Sequence, residues 1–165
     1  MRSPARQIVQ HHDETRTSMA KTYRMSAFTR FGNTMSAAMI RLGIGPAGMH
    51  LLTVRGRKSG LPRTTPVNLI EHQGRRWLVA PYGEVAWVRN ARAAGEAELR
   101  RAGTVERVQV REATAEEAAP VLRSYLRQLR LVAGPYFDVT PSSPGAAFAA
   151  EAPRHPVFLL TGPPA

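Results

Sequence analysis

LLTVRGRKSGLPRTTPVNLI, residues 51–70, decides how the fold is read. An apolar, partly β-branched run stands on each side of a glycine-flanked turn. That pattern reads as two strands and a tight connection. Arg55, Arg57, Lys58 and Arg63 fall within nine residues, and no acid lies between Met49 and Ile70. Such a turn is either a solvated hairpin tip or a grip for an anion. Gly56 and Gly60 permit positive φ and close backbone approach. Successive N–H groups in such a turn can make an anion nest. Lys58 adds a mobile charge, Ser59 a hydroxyl, and Arg57 and Arg63 planar forks that match phosphate or carboxylate. The nucleotide pattern G-x-x-x-x-G-K-[ST] is absent. On these residues alone both readings stay open.

Working towards the C-terminus, strands are predicted at residues 50–55, 64–71 and 76–80. A short helix at 86–94 is stopped by Gly95. A hairpin pairs 96–101 with 104–113 across Ala102-Gly103. Short strands joined by tight turns point to a small barrel rather than a doubly wound sheet. Thr114 and Glu117 form a capping box for a long helix with Val121, Leu122, Tyr125, Leu126 and Leu129 on its buried face. Pro120 either kinks that helix or starts its main part. Residues 132–155 are rich in Pro and Gly and read as a loop anchored by Tyr136, Phe137 and Phe148. The run PVFLLTG is a last strand.

Working towards the N-terminus, GIGPAG at 43–48 is formally G-x-G-x-x-G. A helical pattern precedes it and a strand follows, the reverse of a dinucleotide site, so it reads as a helix-to-strand loop. Met19, Tyr23, Ala27, Phe31, Met35 and Met39 recur four apart, with Lys21, Arg24 and Arg30 off that stripe. A helix is expected over 19–41, packed on the core or lying on a membrane surface or over a ligand mouth. Residues 1–18 are polar and patternless and read as a tail.

The 165 residues suit one domain, 1–165. There is no cysteine, so disulfides and thiolate metal sites are excluded. No apolar run of about 18 residues predicts a spanning helix. The N-terminus lacks a signal-peptide core, which gives a cytoplasmic expectation. His11, His12, His50, His72 and His155 have no metal-ligand spacing. The net charge of +11 favours an acidic partner. Yet lysine occurs only at Lys21 and Lys58, so an arginine-rich genome composition accounts for the total equally well. No recognition-helix motif or interleaved aromatics argue for nucleic acid.

The core G-R-K-S-G-L-P-R followed by Thr65-Pro66, with W-x-x-N at Trp87 and Asn90 and the terminal HPVFLL, resembles the deazaflavin (F420)-dependent nitroreductase family. These are split β-barrel oxidoreductases. The resemblance is close over 51–95 and looser to the C-terminus. It implies an α+β split barrel, similar to those that bind flavin mononucleotide (FMN), with an N-terminal helix and one long helix after the central hairpin. It also implies coenzyme F420 as cofactor and hydride transfer to a small or lipophilic acceptor such as an enone, quinone or nitro compound.

By the same resemblance Arg57, Lys58, Ser59, Gly60 and Arg63 would hold the cofactor phosphate and the start of its glutamate tail. Thr65, Pro66 and Val67 would line the ring. Ala80, Pro81, Tyr82 and Gly83, with Ala86, Trp87, Val88, Arg89 and Asn90, would complete the site. Where the family often has a small hydroxyl residue and a lysine, this chain has Pro81 and Tyr82. Tyr136 is the candidate proton donor or acceptor contact, with Tyr125 and solvent as other proton sources. Competing readings are an FMN-binding split barrel and a non-catalytic basic module for anionic membrane or polyanions. A homodimer and a peripheral membrane contact through 19–41 are both compatible with the resemblance.

Overall fold

The computed structural model describes residue 40 and residues 42–162. The tail expected at 1–18, and the helix expected at 19–41 apart from Ile40, lie outside the described residues. The elements run β1 (Met49–Arg55), β2 (Pro62–His72), β3 (Arg75–Val79), α1 (Ala86–Ala94), β4 (Glu96–Arg101), β5 (Thr104–Glu112), α2 (Ala115–Ala133), α3 (Gly145–Glu151) and β6 (Val157–Thr161). The strands close into an antiparallel barrel in the order β1-β2-β3-β6-β5-β4. This is the α+β split-barrel architecture that the strand pattern and the family resemblance imply.

Alternation sorts each strand into two faces. Leu52, Val54, Val67, Leu69, Leu78, Val108, Val110, Phe158 and Leu160 point inward and meet Val88 and Ala91 of α1. Ile70, Trp77, Val79, Val157 and Leu159 point outward, under Val121, Leu122, Tyr125 and Leu126 of α2 and Phe148 of α3. Thus β2, β3 and β6 serve two cores at once. Burying each such side chain contributes about 1.5–3 kcal/mol. Leu78 is fully buried in the barrel core, and its truncation to Ala should cost about 2–5 kcal/mol.

The two barrel ends are closed differently. At one end Arg76 donates from Nη1 and Nη2 to Oε2 and Oε1 of Glu106, at 2.6 and 2.5 Å. Beside this pair, Arg101 Nη1 donates to the carbonyls of Met49 (2.6 Å) and Pro46 (2.8 Å), pinning the 43–48 loop. At the other end lies α1. Its last residue precedes Gly95 at φ +67, and the Gly95 N–H caps the Ala91 carbonyl. The hairpin turn has Ala102 at φ +47 and Gly103 at φ +78, the two positive values of a type I′ connection.

Two expectations need correction. Pro120 neither starts the main part of the helix nor marks its kink; α2 runs through it from Ala115, and the non-helical residue is Leu129 at φ −121, ψ 26. Proline's φ suits the helix, and its missing N–H costs only the bond to the Glu116 carbonyl near the N-terminus. The capping box is present, with Glu117 N–H to Thr114 Oγ1 (3.3 Å) and Thr114 N–H to Glu117 Oε2 (3.0 Å). The segment read as loop contains helix α3 and short 3-10 turns at Gly134–Tyr136 and Ala152–Arg154. The anchors expected there do bury: Phe148 fully, Phe137 nearly so, Tyr136 partly. Among the described residues no helix is long and apolar enough to cross a membrane.

Candidate active site

The 56–61 turn is held by its own backbone. Gly56 N–H donates to the Leu61 carbonyl and Gly60 N–H to the Gly56 carbonyl, both at 2.8 Å. Gly60 sits at φ +68. Gly56 is needed for space: a Cβ there would lie 2.9 Å from Ser59 Oγ and 3.1 Å from the Leu61 carbonyl. Leu61 N–H donates to Ser59 Oγ at 3.3 Å, leaving the Ser59 hydroxyl proton free to donate outward. The nest anticipated from the glycines is therefore partly spent. Within the turn only the Lys58 and Ser59 N–H groups have no acceptor among the described residues.

Asn90 joins this turn to α1. Its Oδ1 accepts from the Arg57 backbone N–H and from Arg57 Nη1, both at 3.2 Å. Asn90 is buried, in contrast to its exposed neighbour Arg89. The G-R-K-S-G and W-x-x-N segments, 33 residues apart at Arg57 and Asn90, are thus one structural unit. Arg57, Lys58, Ser59, Gly60 and Arg63 are all exposed. Among the described residues none of Arg55, Arg57, Lys58 or Arg63 has an acidic partner.

The β1–β2 register places Arg63 opposite Val54 and Thr65 opposite Leu52. Arg63, Thr65 and Val67 therefore share the face that turns into the barrel mouth, and Pro66 lies on the other. Val67 is buried and Thr65 half-buried. One slot can take the side chains of Thr65 and Val67, or that of Pro66, but not all three.

The 80–85 turn begins where the β3–β6 ladder ends. Ala80 N–H donates to the Pro156 carbonyl at 2.9 Å, Gly83 N–H to Ala80 at 3.1 Å, and Val85 N–H to Gly83 at 2.8 Å. Ala80 and Val88 are buried in the barrel core, and Trp87 packs on it, 5.6 Å from the Phe158 ring. Val85 offers α1 no side-chain cap, and its first turn has no acid, so exposed Ala86 stands at a helix start with free N–H donors. Tyr82 and Tyr136 meet edge to face, with centroids 4.6 Å apart at 84°. The structure thereby brings Tyr136 from beyond α2 to the 80–83 turn. Tyr125 is different. It lies in the outer core, 6.3 Å from the Phe137 ring, and burial pushes its phenol above the ordinary range.

Sequence reading weighed His155 only as a metal ligand and did not single out Glu151. Both are buried, with His155 Nε2 3.0 Å from Glu151 Oε1. Burial lowers the His155 pKa, so the neutral ring is favoured, and the carboxylate fixes its proton on Nε2. The available signal was Glu and His four apart in EAPRH, the spacing of one helical face.

The fit to a deazaflavin rests on this donor set. An anionic tail needs cations without acids of their own, and the 55–63 turn supplies them. A flat ring needs a part-apolar wall, which Thr65, Val67 and the 80–86 segment can form.

A closed barrel of six described strands with flanking helices defines the split β-barrel fold class. A sequence profile of the family described as F420H(2)-dependent quinone reductase matches residues 23–138. The chain belongs to that family and is an F420-dependent oxidoreductase. Among solved structures it is similar to one described as an F420-H2-dependent reductase, at 25% identity and TM-score 0.44, covering 70% of this chain and 95% of that one. A protein of unknown function from Agrobacterium tumefaciens matches at 17% identity and TM-score 0.51, covering 87% and 57%. A FAD-binding protein from Mesorhizobium loti matches at 11% identity and TM-score 0.46, covering 85% and 91%. No curated protein matches the sequence.

Proposed function

We propose that this protein uses F420H2 to reduce a quinone or another small conjugated acceptor, with the cofactor's anionic tail on the 55–63 turn. One observation carries the reading: four cations without acids sit on a turn that Asn90 locks to the helix beside the barrel mouth. When bound, the deazaflavin supplies the hydride.

The residues would act as follows. Arg57 presents a guanidinium already oriented by Asn90, so little rotamer freedom is lost on binding. Lys58, the Ser59 hydroxyl and the two free N–H groups complete the phosphate contacts, and Arg63 carries the charge towards the barrel mouth. Thr65 and Val67 form the ring wall. The 80–83 turn and the N–H groups at Ala86 meet the polar edge. Tyr82 and Tyr136 wall the acceptor side and restrict water. Tyr136 Oη holds a proton that the reduced acceptor can take. A lipophilic acceptor would also suit a basic segment at 19–41 resting on a membrane.

The test is a fluorescence titration of purified protein with F420 and, separately, with FMN. Saturable one-to-one binding of F420, lost in Arg57→Ala/Lys58→Ala, is expected. Binding of FMN in preference to F420 rejects the cofactor, and a double variant that binds like wild type rejects the turn.

A further inference from the structure

Behind the Tyr82–Tyr136 contact lies a buried polar unit. Glu151 Oε1 accepts from His155 Nε2 at 3.0 Å and from the Asp138 backbone N–H at 3.1 Å. The His155 ring stacks on Phe137 at 3.8 Å, with 18° between planes. His155 Nδ1 is buried beside the Pro81 backbone, outside bonding geometry. Arg154 pairs with Asp138 and, at 3.4 Å, with Glu151 Oε2. The Arg154 carbonyl lies close under Gly83, where a Cβ would come within 3.3 Å.

These contacts converge on two segments. Asp138 and Phe137 directly follow Tyr136, and Pro81 and Gly83 flank Tyr82. The segment after Tyr136 is thus held from behind by one carboxylate and one stacked imidazole, and the turn that carries Tyr82 packs on the same imidazole and on the Arg154 carbonyl. Plain packing would not place a buried Glu–His pair here. Buried polar groups cost stability unless paired, and apolar residues fill such a space more cheaply.

We propose that Glu151 and His155 are positioning residues for the acceptor, setting the Tyr82–Tyr136 wall and hence which acceptors fit. The inference rests on the reading of these tyrosines as the acceptor side. Glu151 holds the 136–138 backbone, His155 transmits that hold to the 80–83 turn, and the phenol of Tyr136 is aimed as a result.

The experiment uses the full chain, F420H2, and two acceptors, a one-ring and a two-ring quinone. In Glu151→Ala the KM for the two-ring quinone should rise at least about tenfold by analogy with losing a buried hydrogen-bonded charge. The one-ring quinone should change less, and F420 affinity should stay within about twofold because the basic turn is untouched. Glu151→Gln, which keeps an acceptor oxygen for both donors, should recover most of the loss. In a Tyr136→Ala background, Glu151→Ala should add little further KM change.

His155→Phe keeps the stack on Phe137 and removes the bond to Glu151. It gives the same readout at smaller size if Glu151→Ala does not fold. Unchanged acceptor KM in these variants, or effects that simply add to Tyr136→Ala, overturns the positioning role and leaves the proposed function standing. A wild type that does not bind F420 overturns both.

Discussion

At the end of the barrel away from the basic turn, Arg76 lies against both oxygens of Glu106, and Arg101 is spent on backbone carbonyls. At the other end Arg55, Arg57, Lys58 and Arg63 share a turn with no acid at all. Arg92 with Glu84 and Glu112, Arg111 with Glu117, and Arg154 with Asp138 follow the first pattern. Arginines that serve the fold are spent on carboxylates or on backbone carbonyls. Those on the turn repel one another, and apart from the Arg57–Asn90 bond they have no partner among the described residues to offset that repulsion until an anion arrives. Net charge alone hides this clustering of four cations on one turn without an acid.

The contrast is most sharply tested by removing charge from each region. Arg57→Ala/Lys58→Ala should weaken F420 binding on the order of 100-fold or more, since charge-assisted hydrogen bonds contribute about 1.5–3 kcal/mol each. Its thermal midpoint should change little. A double variant that melts early and binds normally would place the turn among the structural arginines. Asn90→Ala comes next. It removes the acceptor for both Arg57 donors, and a rise of about tenfold in the F420 dissociation constant is expected from roughly 1–2 kcal/mol of lost hydrogen bonding. Restoring affinity at low salt would show that orientation, not charge, had been lost.

Glu106→Gln should do the reverse of the turn variants. Urea denaturation should show about 1 kcal/mol or less of lost stability, since the pair is part-exposed, with F420 affinity unaltered. The smallest effect concerns acid. Arg111 and the Thr114 N–H hold the Glu117 pKa down to about 2. A glutamate in the unfolded chain titrates near about 4.3. The stability from this lowered pKa is therefore complete above that value and disappears as pH falls towards 2. Urea midpoints measured across that window should fall less steeply in Arg111→Ala than in wild type.

Much of this was legible because short-range signals agreed with the fold. Gly95 after an apolar-periodic stretch marked the end of α1, and Thr114 with Glu117 marked the start of α2. The Ala102-Gly103 pair marked a hairpin. The helix Gly145–Glu151 was not legible: Pro144 gives no side-chain cap, and its one large apolar residue, Phe148, shows no period. That helix exists because Phe148 fills a site beneath α2, with the Arg123 guanidinium 5.1 Å from its ring. The site divided in the same way. The cations of the turn were visible as composition. The Arg57–Asn90 lock joins residues 33 apart, which no local window contains; the Glu151–His155 pair is local, but its burial under Phe137 and the 80–83 turn comes from the tertiary fold.

Closure of the ladder also decides how this protein can meet others. Each of the six described strands has a hydrogen-bonded neighbour on both sides, but the β2–β3 ladder runs only over Leu69–His72, so the barrel is split beside residues 62–68 of β2. Among the described residues, strand addition by an extended peptide is therefore confined to short stretches such as that one, and long edge-to-edge stacking is disfavoured. Assembly on the fully laddered part of the barrel would be made by side chains and loops, and so can be altered one surface residue at a time without disturbing the sheet.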